Sequence, residues 1–268
     1  MSLIQFQVDE TQILNLPCYF SDKLSNLPIW IKELIFKKDL KKETLNNNDL
    51  KKNLVTHLTF GETFNEKVEN LSTSITHLTF GTKFNKSIKN LGDSITHLTF
   101  GSEFNQDVNN LPKNLTHLTF GTCFNQTVDN LPKNLIHLVF GNNFNKKIDN
   151  LPKNLIHLTL GNNFNQNIEK LPDNITCLIF GNMFNKSIEK LPNSITCLVF
   201  GKFFNQSINK FSDTLTSLTL KDAFDQIIDN PPVGLKEIKI SGNKIHLLKK
   251  IPFGCIVIDL DDINIKKK

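Results

Sequence analysis

The stretch Ile75-Thr-His-Leu-Thr-Phe-Gly-Thr-Lys-Phe-Asn85 decides the fold of this 268-residue chain. It returns every twenty residues, for example as Leu135-Ile-His-Leu-Val-Phe-Gly-Asn-Asn-Phe-Asn145, and nine copies follow one another without an insertion. A unit this short cannot bury its own apolar face, so it must stack on its neighbours. The repetition therefore predicts a solenoid of 20-residue coils.

Each copy also predicts its own local structure. The segment Thr-His-Leu-Thr-Phe is rich in β-branched and aromatic residues and alternates with period two, which favours a short strand with Leu78 and Phe80 inward and His77 outward. Successive strands would pair in parallel at about 4.8 Å per coil. The following glycine, as at Gly81, predicts a sharp turn with positive φ. The Leu-Pro pair of most later copies disfavours a helix and predicts an extended or irregular return side.

The pattern divides the chain into four segments. Residues 1–26 are predicted to be an N-terminal cap, and 27–53 a divergent first coil in which Lys37 replaces glycine and a polar bulge, Glu43 to Asp49, widens the loop. Regular repeats fill 54–230. Residues 231–268 are predicted to hold degenerate coils and a C-terminal cap, because the last coils of a solenoid need altered outer faces.

The string Phe184-Asn-Lys-Ser-Ile-Glu-Lys-Leu-Pro192 resembles the FNIP repeat, which is named for this motif. With Leu-x-Phe-Gly ahead of it, the unit is similar to the leucine-rich-repeat-like solenoids. The resemblance implies an all-β-dominated solenoid with a parallel sheet on one face, of a kind typical of AT-rich amoebae and the large DNA viruses that infect them. Members of the family often add an F-box, which recruits a ubiquitin ligase. Residues 1–26 are too short for one, so an F-box is not evident.

Composition restricts the class of partner and the compartment. The net charge is +5, but every basic residue is Lys, which disfavours nucleic-acid recognition because guanine and phosphate are best bound by Arg. We see no signal peptide and no run of 18 apolar residues, and therefore expect no membrane partner. The five cysteines are odd in number and scattered, which favours a reducing compartment. We expect a monomeric cytoplasmic or nuclear protein that is not secreted.

A column of histidines is the most conspicuous candidate for chemistry. Its members are His57, His77, His97, His117, His137 and His157. Imidazoles about 5 Å apart on one face could bind zinc or copper, but no carboxylate or cysteine stands beside each one, and the column continues as Cys177, Cys197 and Ser217. We interpret it first as repeat surface. Stacked imidazoles resist being charged together, so their pKa should fall below about 6.5.

A column of asparagines follows the second phenylalanine of each copy. Its members are Asn65, Asn85, Asn105, Asn125, Asn145, Asn165, Asn185 and Asn205. We expect a structural ladder of buried amides that satisfies backbone groups at the turn.

The sequence contains no nucleophile elbow, P-loop, zincin or dinucleotide fingerprint, so we predict neither an enzyme nor a cofactor. The preferred prediction is a non-catalytic scaffold that binds an unidentified protein on the sheet face. Its candidate residues are the six histidines and Cys177, Ile179, Cys197 and Val199, four positions where an apolar stripe replaces His and Thr. The alternatives are a substrate-recognition adaptor of a ubiquitin ligase and a metal-binding protein that uses the histidine column.

Overall fold

The computed structural model describes residues 12–16, 30–36, 54–69, 71–208 and 211–263. The chain divides into two compact units, residues 1–124 and 125–268. Apart from residues 12–16, the predicted N-terminal cap lies outside the described residues, as do the polar bulge Glu43 to Asp49 and the C-terminal Lys266 to Lys268.

Six parallel strands form the sheet of the first unit in chain order. They are β1 (Ile13–Leu16), β2 (Glu33–Phe36), β3 (His57–Thr59), β4 (His77–Thr79), β5 (His97–Thr99) and β6 (His117–Thr119). The register advances by one repeat per strand, so His77 lies opposite His97. Between β2 and β3 the step is Glu33 to His57, which matches the longer spacing of the first coil.

Seven further strands belong to the second unit, again parallel and in chain order where pairings are described. They are β7 (His137–Val139), β8 (His157–Thr159), β9 (Cys177–Ile179), β10 (Cys197–Val199), β11 (Ser217–Leu220), β12 (Glu237–Ile240) and β13 (Ile256–Ile258). A short 3₁₀ helix, Gly242–Leu247, precedes β13. The predicted all-β solenoid of 20-residue coils is therefore confirmed.

The core lies behind the strands and is built from stacked rings. Leu78 and Phe80 are buried, whereas His77 and Thr79 are half-buried on the outward face, as predicted. The rings of Phe80 and Phe84 stack within one coil at 3.7 Å, and each also stacks on its equivalent in the next coil, with Phe80 lying 5.6 Å from Phe100. Each buried ring contributes about 2 to 3 kcal/mol, so the two phenylalanine columns bind neighbouring coils together.

Tight turns make up the return side. In the copy that contains β4, backbone hydrogen bonds close turns over 81–84, 88–91 and 92–95. Among the described copies no helix interrupts this sequence of turns, in line with the predicted irregular return side. Pro112 begins one such turn, and its carbonyl oxygen accepts a hydrogen bond from Leu115 N–H. A proline fits there because the turn uses the carbonyl of its first residue and not the N–H that proline lacks.

The predicted positive φ of the repeat glycines is wrong. Among the described glycines only Gly254 has positive φ. The reason for glycine is close approach of the backbones: a Cβ built on Gly101 would lie 2.1 Å from the carbonyl oxygen of Gly81 in the preceding coil. Glycine is needed because the coils stack backbone against backbone at this corner.

Candidate functional site

The outward face of the first unit presents a stack of imidazoles on strands β3 to β6. The ring of His77 lies 4.0 Å from that of His57 and 4.0 Å from that of His97, with interplanar angles of 15°. His97 and His117 continue the stack at 4.1 Å. The parallel register of the strands sets this spacing, since equivalent outward side chains lie one coil apart.

A threonine hydroxyl orients each of these rings. Thr76 Oγ1 lies 2.8 Å from His77 Nδ1, and it donates a hydrogen bond at 3.3 Å to the carbonyl oxygen of Thr56. Because the hydroxyl has a single hydrogen, both contacts are satisfied only if Nδ1–H donates to Oγ1. This assigns the Nδ1–H tautomer and leaves Nε2 as the acceptor. The same pair of contacts is made by Thr56, Thr96 and Thr116.

The stack resists protonation. Burial and, to a smaller extent, the neighbouring histidines His57, His97 and His117 together lower the pKa of His77 to about 4. Burial and its neighbours also lower the pKa of His97. The direction agrees with the sequence prediction, but loss of solvent is the larger cause and repulsion between imidazoliums the smaller one. These two rings are therefore neutral at pH 7.

The imidazoles do not form a shared metal site. In near-parallel rings the Nε2 lone pairs point along near-parallel lines, so neighbouring lone pairs do not converge on one ion. In the part of the chain that the structure describes, no three His, Cys, Asp or Glu side chains are grouped so that they could hold a metal ion. The geometry fits a neutral hydrogen-bonding surface better than a coordination shell.

The histidine column loses its order in the second unit. His137 and His157 lie 5.3 Å apart and are tilted by 33°. Ile136 and Ile156 replace the threonines that hold the rings in the first unit. Without a hydroxyl at this position, no equivalent contact can fix Nδ1, and His157 is exposed. The preceding threonine is thus a positioning residue that the sequence prediction missed.

Beyond β8 the outward column changes its chemistry. Cys177 and Cys197 lie directly opposite each other on β9 and β10, and both are half-buried. Ser217 and then Glu237 occupy the same position on the next two strands. The second outward column becomes apolar at the same strands, where Ile179 pairs with Val199.

Two apolar side chains on the same coils were missed by the sequence analysis. Met183 and Phe203 lie in the turns after β9 and β10, and each is 46% exposed. The other described copies in the second unit have Asn143, Asn163 or Ala223 there. The change from mostly polar residues to two large apolar residues in this column of the repeat is the sequence signal that could have identified Met183 and Phe203. We call Ile179, Val199, Met183 and Phe203 the apolar patch.

The asparagine column forms a ladder at the edge of the turns. Asn145 Oδ1 accepts a hydrogen bond of 3.0 Å from the backbone N–H of Asn165 and one of 2.9 Å from Gln166 Nε2. Equivalent backbone bonds are made to Asn65, Asn85, Asn125, Asn165, Asn185 and Asn205. The expectation of buried amides is wrong, since these side chains are half-buried or exposed. They remain accessible because each Oδ1 accepts a hydrogen bond from a backbone N–H at the outer edge of the turn.

Two cavities open on the return side of the second unit, with volumes of about 540 and 250 Å³. Leu191 and Phe211 line the smaller one. At this coil Phe211-Ser212 stands in place of the Leu-Pro pair, and Leu191 is less buried than its equivalent Leu171. We interpret these cavities as gaps left by that departure from the repeat.

The described helices include none that is long and apolar enough to cross a membrane.

Stacked 20-residue coils, a parallel sheet and a return side built mainly of turns define a leucine-rich-repeat type of solenoid. The FNIP Repeat profile matches residues 84–123, 124–163, 147–183, 164–203 and 184–220, which together span about half of the chain. The chain therefore belongs to the FNIP repeat family.

A solved structure gives the same fold. It is described as "The crystal structure of CroV588 a novel circular LRR protein structure", and it matches with a TM-score of 0.77 and 39% sequence identity. The match covers 94% of this chain and 40% of that one, so this chain spans less than half of that protein's length. A comparison with curated proteins finds no match.

Proposed function

We propose that the chain is a non-catalytic scaffold that binds a protein partner at the apolar patch, on the outward sheet face of the second unit and in the turns that follow β9 and β10. The observation that supports this best is the exposure of Met183 and Phe203 on the two coils where Ile179 and Val199 replace threonine or valine. Exposed apolar groups clustered on a surface are typical of protein-binding sites, and aromatic residues are enriched at the centre of interfaces.

The fold does not require apolar side chains at these positions. Asn163 and Thr159 occupy the equivalent positions one coil earlier, with the same backbone hydrogen bonds: Asn163 N–H donates to Asn142, and Met183 N–H donates to Asn162. The coil therefore tolerates either kind of residue. Contact with another molecule would stabilise the bound state by about 25 cal/mol for each Å² of apolar surface that it covers.

A non-catalytic role fits the chemistry of the face. The first unit presents stacked imidazoles whose lone pairs do not converge. Some acidic side chains are engaged in ion pairs between neighbouring coils on the exposed surface, such as Glu169 with Lys190 at 2.7 Å. This arrangement offers an extended recognition surface.

The test replaces the patch with residues that other copies of the repeat already carry. The variant Ile179→Thr, Val199→Thr, Met183→Asn, Phe203→Asn should fold as the parent does, which thermal unfolding would verify. Affinity capture from the cells in which the protein occurs, followed by quantitative mass spectrometry, should show a protein bound to the parent and depleted on the variant.

The matched control is Lys153→Ser, an exposed return-side substitution in the same unit, which should leave capture unchanged. For the purified partner, loss of the patch should weaken binding at least about tenfold, or roughly 1.4 kcal/mol. Ubiquitin-ligase subunits among the captured proteins would support the adaptor role instead. If every captured protein binds parent and patch variant equally, the proposed site is wrong.

A further inference from the structure

Cys177 and Cys197 form a pair of thiols on adjacent strands. They are Cα partners across β9 and β10, and their side chains share the outward face because Leu178 and Leu198 between the outward positions are buried. Both are free and half-buried. Elsewhere on the described strands the position is held by His, Ser or Glu, with Ile13 at β1 and Ile256 at β13, so among these strands two soft ligands stand side by side only here.

The two thiols also interact with each other. A hydrogen bond with Cys177 lowers the pKa of Cys197 to about 7, with a smaller contribution from Ser217, while burial and Glu237 oppose the shift. The same hydrogen bond and burial raise the pKa of Cys177. The two thiols are therefore close enough to interact directly, as their positions on adjacent strands require.

Strand spacing determines what such a pair can hold. Equivalent atoms on neighbouring strands lie about 4.8 Å apart. The Cβ atoms of a disulfide usually lie about 3.5 to 4.5 Å apart, so the parallel Cβ atoms of these two strands would have to move closer together. An ion held linearly by two sulfurs, with metal–sulfur bonds of about 2.3 Å each, spans about 4.6 Å. The spacing thus suits a bridging ion better than a direct bond between the sulfurs.

We propose that Cys177 and Cys197 are a two-coordinate site for one thiophilic monovalent cation of the Cu(I) class. Soft thiolate ligands favour such ions, whereas zinc would need further ligands. No additional His, Cys, Asp or Glu completes a larger set among the residues that the structure describes. Binding is a proton exchange without redox change: the cation and two thiols give a bis-thiolate complex and release two protons to solvent.

The experiment uses the full chain with Cys18→Ser, Cys123→Ser and Cys255→Ser as a two-thiol parent. Reduced protein is titrated without oxygen, with Cu(I) buffered by a competing chelator and with Ag(I) as a redox-inert probe. Ultraviolet thiolate-to-metal absorption and native mass spectrometry should report one ion per chain. Either Cys177→Ser or Cys197→Ser should abolish stoichiometric binding, while thermal unfolding verifies that these variants are folded.

Ser217 supplies matched controls, because it occupies the next position of the same column in the same register. The two-thiol parent with Cys177→Ser and Ser217→Cys carries an adjacent pair one coil further along, and it should bind one ion. The parent with Cys197→Ser and Ser217→Cys carries thiols two coils apart, about 9.6 Å, and it should bind none.

Three results would overturn the proposal. They are equal binding by the adjacent and the separated pairs, retention of the ion by either single-serine variant, and failure of the reduced parent to bind either cation. If the parent binds no ion in the absence of air and converts rapidly to a disulfide in air, the two thiols are a redox pair and not an ion site. The test is independent of the apolar patch, which these variants leave intact.

Discussion

Replacing one stacked glycine by alanine should destabilise the protein severely. In Gly101→Ala the added Cβ would lie 2.1 Å from the carbonyl oxygen of Gly81 and 2.4 Å from its carbonyl carbon. Both are backbone atoms, so rotation of a side chain cannot relieve the clash. The corner of the coil must move by on the order of 1 Å to restore ordinary van der Waals distances.

The magnitude follows from what that movement breaks. Overpacking in a close-packed interior costs about 1 to 3 kcal/mol, and more when the backbone has to shift. The corner also holds the hydrogen bonds from Phe104 N–H to Gly101 and from Glu103 N–H to Thr82. We therefore expect a loss of at least about 3 kcal/mol, or a fall of roughly 6 to 12 °C in Tm for a chain of this size.

Gly92→Ala is the matched control in the same unit. Its Cβ would meet nothing closer than Ser94 Oγ at 3.7 Å, and its φ is not positive. Alanine there should stabilise the protein by about 0.4 to 1 kcal/mol, because it restricts the unfolded chain. Urea and thermal unfolding followed by circular dichroism would measure both variants. If Gly101→Ala unfolds within about 0.5 kcal/mol of the parent, the explanation by backbone contact is refuted.

Two further predictions concern the polar columns. Because the folded pKa of His77 and His97 is lowered, their contribution to stability is present above pH 6.5 and is lost as pH falls towards about 4. His77→Thr plus His97→Thr should therefore flatten the acid-unfolding profile by about 1 kcal/mol, a value reduced for solvent screening. The control Thr79→Ser keeps both imidazole rings and should leave the profile unchanged. Identical acid-unfolding profiles for the double variant and the parent would contradict the prediction. Asn145→Leu should cost about 1 to 2 kcal/mol by removing the acceptor of two hydrogen bonds. Asn143→Leu, which affects one long exposed bond, should cost less, and equal urea midpoints for the two would exclude the ladder.

The period of the sequence predicts most of the fold because one distance governs it. A parallel sheet fixes the height of a coil, so side chains twenty residues apart must be neighbours, and the buried rings of Phe80 and Phe84 follow directly. The role of Gly81 could not be predicted in the same way. Positive φ and backbone contact both require glycine, and only the coordinates show that the carbonyl of Gly61 occupies the place of a side chain.

The candidate site was predictable only in part, for a related reason. Periodicity shows which histidines share a face, but it does not show that Thr76 fixes the tautomer of His77 or that Ile156 leaves His157 without this contact. The Thr-His dipeptide is the same in every copy of the first unit, so nothing in it distinguishes an orienting residue from a strand residue. The change from Thr-His to Ile-His in the second unit is the sequence signal for the orienting role of threonine, and it coincides with the tilt between the rings of His137 and His157.

The departures from the repeat indicate function better than the repeat does. A phenylalanine, glycine or asparagine that recurs in every coil meets its own equivalent above and below, so stacking alone accounts for it. Stacking does not account for Cys177, Cys197 or Phe203, since neighbouring coils have other residues there and keep the same register. One coil earlier, His157 and Asn163 occupy the positions of Cys177 and Met183 in the same register and with the same backbone hydrogen bond. The thiol pair and the apolar patch, the two sites proposed for this chain, both lie on the two adjacent coils that contain β9 and β10.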